Sequence, residues 1–312
     1  MTAITGLEHW ATKKTSDGDV RLFLWEKFVG APHDANGGKP AVLFVHGSSM
    51  ASTPTFDLSV PGRPHSSVMD WFAERGFVCW CVDMEGYGRS GKQRDIACDI
   101  ANGADDLAAA TDHITAVRGT QSFLTYGISS GALRAAMFAQ AHPERVSRLA
   151  LDAFVWTGQG SPTLEQRRKK LPQFLASKRR PIDRAFVYSI FERDHPDCAE
   201  KSVIDAFADA ILALDDSMPN GTYIDMCSKL PLLDPVQITV PTLIMRGQFD
   251  GIAGIDDLLE FFKLLPHPDK QFSVMNGISH ASFQQKNYLM AYQILHAYFT
   301  QPAPVYGGVA RP

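Results

Sequence analysis

Short apolar runs alternate with amphipathic stretches along most of this chain. Ala41–His46, Phe77–Asp83, Ser122–Tyr126, Val146–Leu151, Thr242–Arg246 and Gln271–Met275 are brief and nearly all apolar, as strands buried on both faces must be. Helical spacing of apolar positions falls between or after them, over Ser66–Arg75, Asp99–Arg118, Ser130–Ala141, Asp256–Leu265 and Phe283–Phe299. This alternation predicts an α/β fold, a mostly parallel sheet covered by helices on both faces. Right-handed crossovers then bring the C-terminal ends of the strands to one edge. Ahead of this region, His9–Thr15 and Val20–Val29 flank Ser16-Asp17-Gly18-Asp19, whose Asp-Gly step predicts a tight hairpin and an antiparallel edge. Ala31–Lys39, rich in Gly, Pro and Asn, reads as a connecting loop.

The alternation stops between Trp156 and about Asp234. Thr163–Ser177, Pro181–Glu192 and Ala199–Leu214 have helical periodicity, Pro181 being placed to begin the second, and no convincing strand occurs. The expected organisation is a core of residues 1–155 and 235–312, interrupted by a helical lid over 156–234. Neither an internal repeat nor a low-complexity tract is present.

Composition narrows the function. With 312 residues and 45% hydrophobic content the chain can bury a substantial core. A net charge of -4 with interspersed signs gives no broad basic field, so no nucleic-acid partner is expected; the basic runs Arg167–Lys170 and Lys178–Arg180 read as solvated helix faces. No apolar stretch is long enough to span a membrane, and residues 1–10 lack the pattern of a secretion signal. Cys79, Cys81, Cys98, Cys198 and Cys227 have neither disulfide-framework nor metal-ligand spacing, which predicts buried free thiols, a cytoplasmic setting, and no metal or cofactor. Cys79 and Cys81, two apart in a strand, share a face.

The chemistry concentrates where strands end. Gly127-Ile128-Ser129-Ser130-Gly131 lies between an apolar strand and a helix, where a G-x-S-x-G turn lifts its serine above the sheet edge. A serine hydroxyl needs a base oriented by a third group. His280, in Asn276-Gly277-Ile278-Ser279-His280 beyond the last strand, is the expected base, and Asp250, after the strand ending at Arg246, the expected acid. Asp152, which also ends a strand, is the rival acid. His46-Gly47-Ser48-Ser49 ends the first buried strand, and the backbone N–H groups of Ser48 and Ser130 are the expected oxyanion donors, with Ser49 the alternative to Ser48. His46 is expected to organise its loop.

At these places the chain resembles the α/β-hydrolase superfamily, from about Ala41 to Phe299. Asp83-Met84-Glu85-Gly86-Tyr87-Gly88-Arg89-Ser90 is similar to a loop-shaping turn of that superfamily. In size and lid length the chain is similar to monoalkyl phthalate ester hydrolases and meta-cleavage-product hydrolases. Ser48-Ser49-Met50-Ala51-Ser52 stands in place of the Gly-rich loop common in the latter. The resemblance implies hydrolysis of a carboxylic ester of a small, largely apolar substrate through an acyl-enzyme, with C–C, lactone and amide cleavage as alternatives on the same triad and a non-catalytic ligand-binding role as a remote one. It leaves open a homo-oligomer. Ser49, Trp156, Phe186, Tyr188, Phe191 and Phe207 are candidate pocket residues, and Arg89, Arg134 and Arg246 are candidates for a substrate carboxylate, each of these Arg being more commonly a structural pair.

Overall fold

The computed structural model describes residues 3–35 and 38–305. Residues 36 and 37, in the loop expected over Ala31–Lys39, lie outside the described residues. The strands are β1 (Ile4–Thr15), β2 (Gly18–Val29), β3 (Ala41–Val45), β4 (Val78–Val82), β5 (Phe123–Ile128), β6 (Val146–Asp152), β7 (Arg179–Pro181), β8 (Ser217–Pro219), β9 (Thr242–Gly247) and β10 (Lys270–Met275). Eight of them form one sheet in the order β1-β2-β4-β3-β5-β6-β9-β10. From β4 to β10 all pairs are parallel, while β1–β2 and β2–β4 are antiparallel. The antiparallel edge is therefore as expected. Its hairpin turns on Ser16 and Asp17, with Thr15 opposite Gly18, and both strands are longer than their apolar runs.

The helices are α1 (Ser52–Phe56), α2 (Val68–Ala73), α3 (Ile100–Arg118), α4 (Ser130–Ala141), α5 (Pro162–Arg168), α6 (Leu171–Leu175), α7 (Arg184–Glu192), α8 (Lys201–Leu212), α9 (Gly221–Ser228), α10 (Ile255–Leu264) and α11 (Tyr288–Thr300). Period-two alternation along the central strands divides the core. Leu43, Val45, Trp80 and Val82 pack towards α3, α4 and α10, whereas Val42, Phe44, Cys79 and Cys81 pack towards α2 and α11. Burying each of the larger apolar side chains contributes roughly 1.5–3 kcal/mol. All five cysteines are buried and free.

Local chemistry sets the helix ends. Asp99 caps α3 by accepting from the Asn102 N–H at 2.9 Å, and Gly119, at φ 73°, ends it in the left-handed conformation that an L side chain resists. The last helix begins at Tyr288 rather than Phe283, because Ser282–Gln284 forms a single 3-10 turn first.

The inserted segment departs further from its pattern. Thr163–Ser177 is two helices, α5 and α6, broken at Lys169 and Lys170. Pro181 ends strand β7 instead of opening a helix; α7 starts after Asp183, whose carboxylate accepts from the Phe186 N–H at 2.7 Å. β7 pairs antiparallel with β8, two three-residue strands too short to carry a hydrophobic signature. Among the described residues no helix is long and apolar enough to cross a membrane.

Parallel pairing places the loops after β3, β5, β6, β9 and β10 on one edge. The chain leaves β3 for β4 on one side and returns to β5 on the other, so the strand order reverses between β3 and β5. A crevice opens at such a switch point. The residues that follow β3 and β5 are His46–Ser49 and Ser129.

Candidate active site

The turn from β5 into α4 is forced by contact. Ser129 has φ 58° and ψ -126°, sparsely populated values that cost of order 1–3 kcal/mol. A Cβ on Gly127 would meet the Gly131 carbonyl oxygen at 2.4 Å, and one on Gly131 would meet the Val45 carbonyl oxygen at 2.3 Å. Both obstacles are backbone, which cannot swing away. Gly131→Ala is therefore expected to destabilise the fold by about 3 kcal/mol, lowering the melting temperature by about 6–10 °C in a thermal melt followed by circular dichroism.

The loops after β9 and β10 are tied to each other. Phe249 N–H donates to the Ile278 carbonyl at 2.9 Å and Gln248 N–H to the Met275 carbonyl at 2.9 Å. Gly247 permits this approach, since a Cβ there would lie 2.1 Å from the Ser279 carbonyl oxygen. Arg246 braces the first loop by donating to the carbonyls of Ala253, Gly247, Gln248 and Asp250. Its guanidinium is thus a scaffold, not a substrate contact.

These constraints bring three predicted residues together. His280 Nε2 lies 3.0 Å from Ser129 Oγ, and His280 Nδ1 lies 3.1 Å from each Asp250 oxygen. All three residues are buried. Burial opposes ionisation of Asp250, but the His280 imidazole and the N–H groups of Ile252 and Ala253 outweigh it and lower its pKa. An ionised carboxylate only accepts, so Nδ1 carries the proton and Nε2 is left to accept from Ser129. Asp152 is elsewhere: it accepts from Tyr126 OH at 2.7 Å and makes no hydrogen bond to His280. Burial, chiefly, raises it to about 7.

The loop after β3 is also held firmly. Ser48 Oγ donates to Ser130 Oγ at 2.6 Å, and the Ser48 carbonyl accepts from Arg180 Nη2 at 3.0 Å and Tyr87 OH at 3.3 Å. His46 is fully buried, accepts the Met84 N–H at 3.0 Å on Nε2, and is pushed down to about 3 by burial first and then by Arg134. It is a neutral loop organiser.

The cavity over Ser129 is narrow and measures about 10 Å³, room for about one water molecule. Ser48, Ser49 and Met50 line it with Ser129 and His280; the inserted segment contributes Arg167, Ile190, Arg193 and Tyr223. Of the predicted pocket residues, Ser49 lines this cavity. Phe186 lines an outer cleft of about 350 Å³ that shares Arg167, Arg193 and Tyr223 with it. Trp156 instead donates to the Leu233 carbonyl and packs edge-on against Phe261, and Tyr188 joins α7 to α8 through Asp205. Phe191 and Phe207 pack against each other inside the inserted segment.

Arg134 is fully buried on the His46 carbonyl, and Arg89 lies over Phe23, so neither faces the cavity. Arg167 and Arg180 do not lie on solvated faces as their basic runs suggest. Arg180 reaches the loop after β3, and Arg167 turns inward while Arg168, Lys169 and Lys170 stay exposed. Arg193 and Tyr223 carried no local signal, because their positions depend on how α7 and α9 pack.

The fold and this edge constellation define an α/β-hydrolase. The chain belongs to the family described as serine aminopeptidase, S33, whose model matches residues 39–287. It is 29% identical over 285 residues to a proline iminopeptidase of Neisseria meningitidis serogroup A / serotype 4A, covering 80% of this chain and 85% of that protein. Among solved structures it is similar in fold to a thermophilic esterase from Thermogutta terrifontis, with TM-score 0.67, 20% identity and coverage of 94% and 97%. It is similar also to a 2-hydroxy-6-oxo-6-phenylhexa-2,4-dienoate hydrolase from Rhodococcus sp. strain RHA1, with TM-score 0.67, 16% identity and coverage of 96% and 100%.

Proposed function

We propose that this chain is a serine hydrolase that cleaves a carboxylic ester through an acyl-enzyme, with Ser129 as nucleophile, His280 as general base and Asp250 as the residue that orients it. The observation that carries this reading is the His280 imidazole set between Ser129 Oγ at 3.0 Å and the Asp250 carboxylate at 3.1 Å. His280 takes the Ser129 proton as Oγ attacks the carbonyl, and Asp250 stabilises the imidazolium. The N–H groups of Ser48 and Ser130 receive the oxyanion. Collapse expels the alcohol, protonated by His280. Water, deprotonated by His280, then attacks the acyl-enzyme, giving the acid and restoring Ser129.

The one-water cavity suits that second step but holds no ester. We infer that the inserted segment shifts as the ester enters and so acts as a lid. The walls also modify the expected substrate: Met50 and Ile190 are apolar, but Arg167 and Arg193 are cationic. The family description and the iminopeptidase relative favour a second reading, release of an N-terminal residue. Against it, no carboxylate among the described residues lines the cavity, and a free amino terminus would meet two guanidiniums.

A fluorophosphonate probe is expected to label the wild-type protein at Ser129, and a panel of alkyl esters, lactones and prolyl amides is expected to show turnover of the esters. Labelling with turnover of prolyl amides alone would replace this reading by the peptidase one. Absence of labelling with retained ligand binding would replace it by a non-catalytic one.

A further inference from the structure

Three guanidiniums converge on one phenol at the roof of the cavity. Arg180 stands 3.8 Å and Arg167 4.5 Å from the centre of the Tyr223 ring, and Tyr223 OH lies 3.1 Å from Ser49 Oγ. Arg193 joins them in the cavity wall. Their protein partners do not balance the charge. Among the described residues the Arg167 guanidinium makes neither an ion pair nor a hydrogen bond. Arg180 donates to the carbonyls of Pro219 and Ser48 and to Asn220 and Ser49, all neutral. Arg193 Nε and Nη2 are buried without a hydrogen-bond partner; the carboxylate beside Arg193, that of Asp194, has Oδ1 3.5 Å from Nε and accepting from Thr163 Oγ1, while its Oδ2 is also buried without a partner.

A buried guanidinium left short of acceptors is costly unless something else supplies them. The outer cleft has the same polarity: Arg167, Lys170, Arg180 and Arg193 line it, and no acidic residue does among the described residues. This field also acts on Tyr223. Burial opposes ionisation of its phenol, yet Arg167 and Arg180, with Ser49 and Arg193, bring it down to about 7. Asp194 stands beside Arg193 and the Asp250 carboxylate also acts on it, but among the described residues Arg167, which lines the cavity with Ser129, has no carboxylate partner.

We propose that the roof is a substrate-anion subsite, in which Arg167 and Arg193 bind a carboxylate carried by the ester. This rests on the hydrolase reading above and names the substrate class of that site. A carboxylate is the best match because it is planar, accepts two parallel N–H bonds from a guanidinium, and as a monoanion is less costly to enclose than a phosphate dianion. The cleft draws such an ester inward, and its carboxylate supplies the acceptors that Arg193 lacks. A cationic ester meets the opposite field. Arg180, whose Nη1 and Nη2 already donate to Pro219, Asn220, Ser48 and Ser49, holds Tyr223 and the loop after β3 in place.

The test compares esters of matched shape by pH-stat: monomethyl glutarate, methyl pentanoate and methyl 4-(trimethylammonio)butanoate for charge on the acyl side, and 4-acetoxybutanoate against pentyl acetate for charge on the alcohol side. In at least one set the anionic ester is expected to have a kcat/KM tenfold or more above its neutral counterpart, with the cationic ester slowest. Arg167→Gln and Arg193→Gln are expected to reduce that preference by about 10- to 100-fold, mainly through KM, with partial recovery in Arg167→Lys. Arg167→Gln keeps the test decisive if Arg193→Gln does not fold, since Arg167 has no hydrogen bond to lose. Equal rates for anionic and neutral esters in both sets, or a preference that survives Arg167→Gln, would overturn the subsite. Fluorophosphonate labelling of the wild type is read in parallel: labelling without anion preference rejects the subsite alone, whereas no labelling rejects the hydrolase reading beneath it.

Discussion

Ser129→Ala is expected to lower kcat by about 10⁴- to 10⁶-fold, equivalent to about 5–8 kcal/mol of transition-state stabilisation. Removing Oγ leaves no atom for His280 to activate, and the remaining oxyanion donors act only on direct attack by water. The fold is expected to persist. Alanine accepts the unusual backbone angles no worse than serine, and the lost hydrogen bond to His280 Nε2 accounts for about 1 kcal/mol. The melting temperature should therefore stay within about 3 °C of wild type. Steady-state ester turnover together with a thermal melt checks both halves. Turnover at the wild-type rate in a folded Ser129→Ala protein would remove the serine from the mechanism.

Asp250→Asn is expected to lower kcat by about 10³- to 10⁴-fold, and Asp152→Asn by less than about tenfold. An asparagine amide can present its NH₂ group to Nδ1. The imidazole then carries its proton on Nε2 and cannot accept from Ser129. Asp152 has no such contact, and in Asp152→Asn the Tyr126 hydroxyl can still donate to the amide oxygen. The reverse pattern would make Asp152 the orienting acid.

The two variants also separate by pH dependence of stability. Asp250 has a lowered pKa, so its contribution is present above the ordinary carboxylate range and is lost as pH falls below it. Asp152, raised from 3.8 to about 7, is the opposite case. The folded state favours its proton, so the contribution is full below about 4 and disappears as pH rises through 7. Asp152→Asn should therefore gain stability relative to wild type between pH 4 and 8, by a few kcal/mol on a linkage basis. Urea melts at pH 5 and pH 8 measure this.

Much of the core was legible because its determinants are local. α4 spans Ser130–Ala141, the stretch its helical spacing marks out, and Asp99 caps α3 where the pattern begins. The glycines of the Ser129 turn, the Asp-Gly hairpin and the doubly buried strands each state their structure within a few residues. The inserted segment does not. Its helices are short, so whether Thr163–Ser177 continues or breaks, and whether Pro181 ends a strand or opens a helix, depends on neighbours distant in sequence. Arg180 illustrates the point: it belongs to a basic run that reads as solvated, yet its guanidinium reaches Ser48 and Ser49 across the chain.

The sequence by itself determined the strand and helix alternation, the forced turn at Ser129, and the order in which Ser129, Asp250 and His280 follow their strands. Those features rest on residue type and spacing, which act over one turn or one strand. Tertiary structure alone decided that Asp250 rather than Asp152 meets His280, because the loops after β9 and β10 are tied by backbone hydrogen bonds that no side-chain pattern encodes. It alone placed Arg167, Arg193 and Tyr223 over Ser129 and left the charge of Arg167 without a balancing carboxylate among the described residues. That balance depends on which side chains the packing of short helices encloses together.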